Sequence, residues 1–372
     1  MQAASTPLRA AWYVPAVNER RAGLRYRCLY PIAALRKLGV DASVFDADAG
    51  LPACVVFDAW SIFPTVAGAE KAAQILPTAR KLREQGVRIL LDNCDNQFSG
   101  NADEGWAKAT SDLQQLATMA DVVVTCSDEL AHIMQARCGL ETTPRVIGDP
   151  IEERIAYMGD SFWRSLLSPG RKRSWLRYLG HRARLAAERS RGITPLVWFG
   201  AHGNSFSDGG MLDLARITPL LAEIHRDHPV SLTVISNNRG KFETHFADHP
   251  FPTHYMDWDR ITFLQMLRLH AISLLPISLN DFTRCKSANR LVLSLHHGLN
   301  VVADAIPSYG MFAPVCHLDD WESGLRRYLR SPQLRAEHVR AGRQLADQHF
   351  SHECIGRQWQ AALQAATENR HG

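Results

Sequence analysis

Lys286, Ser287, Asn289 and Arg290 crowd the start of a helical pattern that runs from Ala288 to His297. The first turn of a helix carries N–H groups without intrahelical partners and the positive end of the helix dipole. Cations and small polar donors gathered there suit an anion such as a diphosphate. Gly298 closes the pattern, and Asn300–Ala303 follows as a short apolar strand. A solvated helix start would show the same residues. The carboxyl edge of a sheet, where ligands of open α/β folds bind, favours the anion.

A second stretch, Gly200-Ala-His-Gly-Asn-Ser-Phe-Ser-Asp-Gly-Gly210, leaves a strand. Its glycines let backbone approach a phosphate or sugar closely, with Gly200, His202 and Asn204 as candidate contacts, or it is an ordinary connecting loop. Asn237 ends the next strand on the same edge and is placed to meet a base. Asp92 and Asp95 follow another strand, where either carboxylate suits orienting an acceptor hydroxyl or general-base work. Aspartates so placed also cap helices, and two carboxylates without a third ligand are thin support for a divalent metal. His296 and His297 are adjacent, so they point to different sides of a helix and do not share one metal.

These candidates sit on alternating strands and helices. Apolar runs predict strands over 10–14, 42–45, 54–57, 87–91, 121–125 and 146–147. Helical spacing falls over 25–38, 67–85, 112–119 and, from a Ser127 cap, to Ala136. A second set follows, with strands over 196–199, 231–235, 271–276 and 300–303. Its helices fall over 211–226, 261–269, 288–297, 321–329, 331–348 and 354–367. Strands separated by helices imply parallel sheets with crossover connections. The reading is therefore α/β: residues 1–150 form one Rossmann-like domain, 151–194 a linker, 195–350 a second such domain, and 351–372 a terminal helix packing back on the first.

The linker differs in character. From Arg164 to Arg191 there are nine Lys or Arg residues and one acid, Glu188, interleaved with Trp163, Trp175, Leu176, Tyr178 and Leu179. It reads either as a solvated, partly helical connector or as an interfacial segment, residues 163–191, lying on anionic lipid.

Composition sets the frame. A chain of 372 residues with 46% hydrophobic and 22% charged residues suits two ordinary globular domains. A net charge of +4 fits an anionic ligand or membrane surface and falls short of a nucleic-acid footprint. The eight cysteines form no C-x-x-C pair and read as buried thiols in a reducing compartment. Without an apolar leader or a membrane-length run, the expected location is cytoplasmic, peripheral at the inner face of the plasma membrane if the linker binds lipid.

The motifs Leu196-Val-Trp-Phe-Gly200, Tyr255-Met-Asp-Trp258, Ala271-Ile-Ser-Leu-Leu-Pro276, Lys286-Ser-x-Asn-Arg, Gly298-x-x-Val-Val-Ala303 and Ile306-Pro-Ser-Tyr309 together resemble the donor domain of retaining family-4-type glycosyltransferases. The resemblance implies a GT-B fold, with two Rossmann-like domains whose parallel sheets face across a cleft. It implies transfer of a sugar from a nucleotide-sugar donor to a carbohydrate or lipid-linked acceptor, as in cell-surface polysaccharide assembly. Retention and independence of metal are carried by the resemblance alone; the nucleotide sugar is substrate, and no cofactor is expected. Arg21-Ala-Gly-Leu-Arg-Tyr-Arg27 resembles the glycine loop of that family, which gives Gly23 a place beside the diphosphate and Arg25 a place at the reaction. Tyr255 and Asp257 line the base pocket by the same analogy.

The chain departs from the family at the paired glutamates, where it has Cys285 and Leu293, and at the turn proline, where it has Asn300. The cationic pair expected after the first donor-domain strand is also absent. A GT-B-shaped binding protein without catalysis and a nucleotide-sugar 2-epimerase are the alternatives. The lack of a G-x-G-x-x-G after a strand with an acidic residue about 20 positions on speaks against a dehydrogenase.

Overall fold

The computed structural model describes residues 8–100, 103–153, 168–203 and 209–368. The chain divides into two compact units. One comprises Met1–Glu152, Arg284–Asn289 and His349–Gly372; the other comprises Glu153–Thr283 and Arg290–Gln348. The donor-like motif is thus split between units, its Lys286 half grouping with the first and its Arg290 half with the second.

In the first unit six strands form one parallel sheet: β1 (Arg9–Tyr13), β2 (Asp41–Val44), β3 (Cys54–Asp58), β4 (Arg88–Asn93), β5 (Val122–Thr125) and β6 (Arg145–Val146). Their order is β2-β1-β3-β4-β5-β6. The central strands are apolar on both faces because helices cover both, so Val55, Val56, Ile89, Leu90 and Val124 are wholly buried. Helix Glu104–Met119 begins where the Asp103 carboxylate accepts from Trp106 N–H at 2.7 Å. That start lies a full two turns before the one the apolar spacing predicts, because Gly105 and Lys108 break the early periodicity while the cap fixes the end. Ser127 caps Asp128–Cys138 as expected, accepting from Leu130 N–H. The terminal helix His352–Glu368 lies on this unit. Its Trp359 meets Trp12 of β1 edge-on at 5.5 Å, and Gly356 clears Ala34, where an added Cβ would come within 2.9 Å.

The second unit repeats the plan with β7 (Thr194–Phe199), β8 (Val230–Ser236), β9 (Thr253–Asp257), β10 (Ile272–Leu275), β11 (Asn300–Ala303) and β12 (His317–Leu318). All pair in parallel, in the order β12-β11-β10-β7-β8-β9. The sequence reading missed several elements of this unit, among them the 3-10 stretch Pro307–Val315. Helix Arg239–Phe246 starts on an Asn238 cap inside what reads as a turn, and β9 and β12 are short strands at the two sheet edges. Within the segment read as a linker or interfacial stretch, a 22-residue helix, Pro169–Ser190, groups with this unit and packs along β7. Trp163 and Arg164 of that segment lie outside the described residues.

Candidate functional site

In the second unit, β7 leads to β8 and β9 on one side, and the chain then crosses to β10 on the other. The carboxyl ends of β7 and β10 therefore flank a topological switch point, where open α/β sheets bind ligands. Gly200 follows β7 there, with its N–H on Ile235 O at 3.2 Å and its carbonyl accepting from Ser236 Oγ at 2.8 Å. His202 N–H donates to Asn237 Oδ1 at 3.3 Å, and Lys241 Nζ reaches His202 O at 2.9 Å. Asn237 itself is exposed. Asn204 lies outside the described residues.

The loop re-enters the fold at Gly210, with φ of 68°, where a Cβ would stand 2.6 Å from Gly203 N. Only glycine satisfies both the dihedral and the approach. Helix Met211–Asp227 starts at that point, and its Asp213 accepts from Ser278 N at 3.0 Å in the loop after β10. Asp304, after β11, accepts from Ile277 N and Trp321 Nε1, each at 2.7 Å, and pairs with Arg216. Sequence reasoning missed both aspartates; Asp304 was detectable as the polar residue ending an apolar strand.

Arg290 lies at the start of helix Asn289–His296, half-buried, its Nη1 3.4 Å from where a Gly200 Cβ would stand. Among the described residues its guanidinium has no ion-pair partner. Asn289 is half-buried at the same helix start and is grouped with the first unit. Tyr255 of β9 is buried under the Arg239 guanidinium, 4.8 Å from its ring centre, and burial followed by the Asp257 charge pushes its phenol up to about 12. Asp257 is exposed and tied to Arg177 at 2.8 Å. Leu293 is 2% exposed, so this position is core here rather than a ribose ligand.

In the first unit the polar side chains form a buried lattice. In the continuous helical stretch 22–37, residues 24–32 are all buried, so Arg25 and Arg27 both lead inward. Arg25, 5% exposed, bonds Glu152 at 2.8 Å and the carbonyls of Glu19 and Arg20. Its burial opposes the charge, but Glu152 beside it outweighs that and keeps it firmly protonated. Arg27, 3% exposed, grips Asp92 through Nη2 at 2.6 Å and Nε at 3.0 Å, Asp149 at 3.2 Å and Ile147 O at 2.6 Å. Asp92 is thereby committed to Arg27, and Ser287 to Asp149. Gly23 is exposed in the first turn of the same helix.

Asp95 is more open. It accepts from Trp60 Nε1 at 2.7 Å and pairs with Lys286. With a donor on each oxygen it suits orienting a hydroxyl better than abstracting a proton. Cys285 is wholly buried in the apolar cluster of this unit, and its carbonyl accepts from Ser127 Oγ at 2.7 Å. Among the described residues no group of three His, Cys, Asp or Glu is arranged to hold a metal ion.

No protein-family profile matches the chain, and no curated protein matches it. Solved structures do. Anabaena HepE in complex with UDP-glucose superposes with a TM-score of 0.61 at 12% identity, over 96% of this chain and 99% of that one. A trehalose-phosphate synthase (UDP-forming) from Burkholderia vietnamiensis gives 0.54 at 13%, over 94% and 84%. TarM from S. aureus, in complex with fondaparinux, α-GlcNAc-glycerol and UDP, gives 0.54 at 9%, over 83% of this chain. The chain spans about 55% of the length of that TarM chain. The fold is α/β of the GT-B class.

Proposed function

We propose that the chain is a glycosyltransferase that takes a sugar from a nucleotide-sugar donor, a uridine diphosphate sugar first among them. The observation that carries this is Arg290: a half-buried cation without an acidic partner among the described residues, at a helix start beside Gly200 and the switch point of a GT-B donor unit. A leaving diphosphate gathers charge as the glycosidic bond breaks, and a fixed cation with helix N–H groups stabilises that charge without reorganisation. In the second unit the Arg239 guanidinium, lying over the ring of buried Tyr255, offers a flat surface for the base; in the first unit Asp95, held by Trp60 and Lys286, offers an acceptor for a sugar hydroxyl. The acceptor is a carbohydrate or a lipid-linked glycan, with retention and independence of metal following the family resemblance. The ligands in the HepE and TarM structures support a nucleotide diphosphate as the shared element.

A thermal-shift panel of UDP-, GDP-, dTDP-, ADP- and CMP-sugars tests the donor, since a ligand at a hundredfold its Kd stabilises the native state by about 2.7 kcal/mol. Release of the nucleoside diphosphate with a glycan acceptor then tests transfer. Arg290→Ala should weaken the stabilising nucleotide roughly 10- to 100-fold, the value of a charge-assisted hydrogen bond. A panel in which no nucleotide moves the transition overturns the proposal, and binding without turnover points to a catalytically silent relative.

A further inference from the structure

Helix Pro169–Ser190 is amphipathic in the inverse sense. The side it turns to its own unit is largely polar: buried Ser174 bonds Asp259, His181 Nε2 meets Thr233 Oγ1 at 3.1 Å, and Glu188 meets His254 at 2.7 Å, with Leu185 alone apolar among them. The opposite side carries the large apolar residues. Leu176 is 69% exposed, Leu179 49% and Trp175 37%. At about 100° per residue these three fall with exposed Ala183 and Ala186 on one outward stripe, opposite His181 and Glu188.

Cations border that stripe. Arg173 and Arg184 lie along one margin and Arg182 along the other, while Lys172 stands within the stripe near its start. None of these four has an acidic partner among the described residues, and the helix's one acid, Glu188, is buried. A folding argument does not explain this arrangement, because the outward leucines and tryptophan contribute less to the core than to the water-exposed surface. An apolar stripe edged by unpaired cations matches a plane that is anionic at its surface and apolar beneath it.

We propose that this helix is a docking surface for an anionic lipid bilayer, lying in the plane of the headgroups with Leu176, Leu179 and Trp175 entering the acyl boundary. Lys172, Arg173, Arg182 and Arg184 then meet lipid phosphates. No described helix is long and apolar enough to cross a membrane, so the contact is interfacial. The inference stands on the helix alone and is independent of the reaction proposed above.

Flotation of the full chain with phosphatidylcholine vesicles, with and without about 30% phosphatidylglycerol, tests it. Binding is expected on the anionic vesicles only and should be lost at about 0.5 M salt, where charges are screened within a few ångströms. Leu176→Gln with Leu179→Gln should cut the partition coefficient roughly tenfold or more while leaving the thermal transition in place, since both side chains face water. Three results overturn the proposal: no binding to anionic vesicles, equal binding to neutral ones, or undiminished binding of the double variant. Self-association through this face without vesicle binding, seen by light scattering, overturns it as well.

Discussion

Lowering the pH from 7 to 5 should destabilise the second unit through three buried histidines. His270 Nδ1 lies 3.0 Å from Met266 O, so it donates there and leaves Nε2 to accept from Thr233 Oγ1 at 2.8 Å. Thr233 in turn accepts from His181 Nε2, and His181 Nδ1 is buried without a partner. A proton added to either ring therefore meets a donor or an apolar wall, with His254, Arg184 and Arg189 adding unfavourable charge. Burial, then these charges, lowers His181 and His270 to about 3. His297 is lowered to about 3 by burial and by His296, Arg268 and Arg343, and its Nδ1 accepts from Arg268 at 3.2 Å.

The folded pKa lies below the unfolded value of about 6.5, so between the two the unfolded chain binds more protons and stability falls as pH falls. Each histidine costs about 2 kcal/mol from pH 7 to 5, so the three together cost about 6 kcal/mol, comparable with the whole stability of a domain. Asp58 of the first unit works oppositely. Burial and then Asp92 push it up to about 6, which adds about 1 kcal/mol to that unit's stability over the same interval. Urea unfolding at pH 7, 6 and 5 measures the slope, and His181→Gln should remove about a third of it whatever the variant's absolute stability. A flat profile, or a slope unchanged in that variant, would refute the reasoning.

The Arg27 lattice makes a second target. Arg27→Met leaves Asp92 and Asp149 buried without their cation and should cost about 3–5 kcal/mol, read as a fall in the urea midpoint at constant m. Asp92→Asn should be destabilising too; a variant with full stability and lost turnover would instead return Asp92 to the reaction. Gly210→Ala forces a left-handed residue against Gly203 N and should lower stability by about 1–3 kcal/mol, with nucleotide affinity falling further than in Gly23→Ala, where nothing lies within 4 Å. Trp359→Ala opens the contact with Trp12 and should cost about 3–5 kcal/mol in the first unit's unfolding.

Much of the strand set was legible because a parallel sheet covered on both faces needs continuous apolar runs, and Val122–Thr125 and Asn300–Ala303 are such runs. Ends fixed by caps were less so: Asp103 starts its helix two turns early, and Asn238 starts another inside a turn. Short edge strands such as His317-Leu318 carry too few residues for any period to show.

The site divides the same way. Residue type and position alone placed Lys286, Ser287, Asn289 and Arg290 at one helix start, and Gly200 and His202 at the end of a strand. Spacing cannot tell which charges are spent inside the fold. Arg25 turns inward to Glu152, Arg27 to Asp92 and Asp149, and Ser287 to Asp149; Glu152 and Asp149 lie more than a hundred residues away in sequence from the arginines they hold. Arg290 stays without an acidic partner among the described residues, and the helix at 169–190 turns Leu176 and Leu179 to water because the polar side chains it needs for Asp259, Thr233 and His254 lie on the other face. Local sequence determines where a group enters the fold, through period and capping. Only the tertiary structure decides whether it is paired, because that depends on partners brought close by the sheet order rather than by the chain.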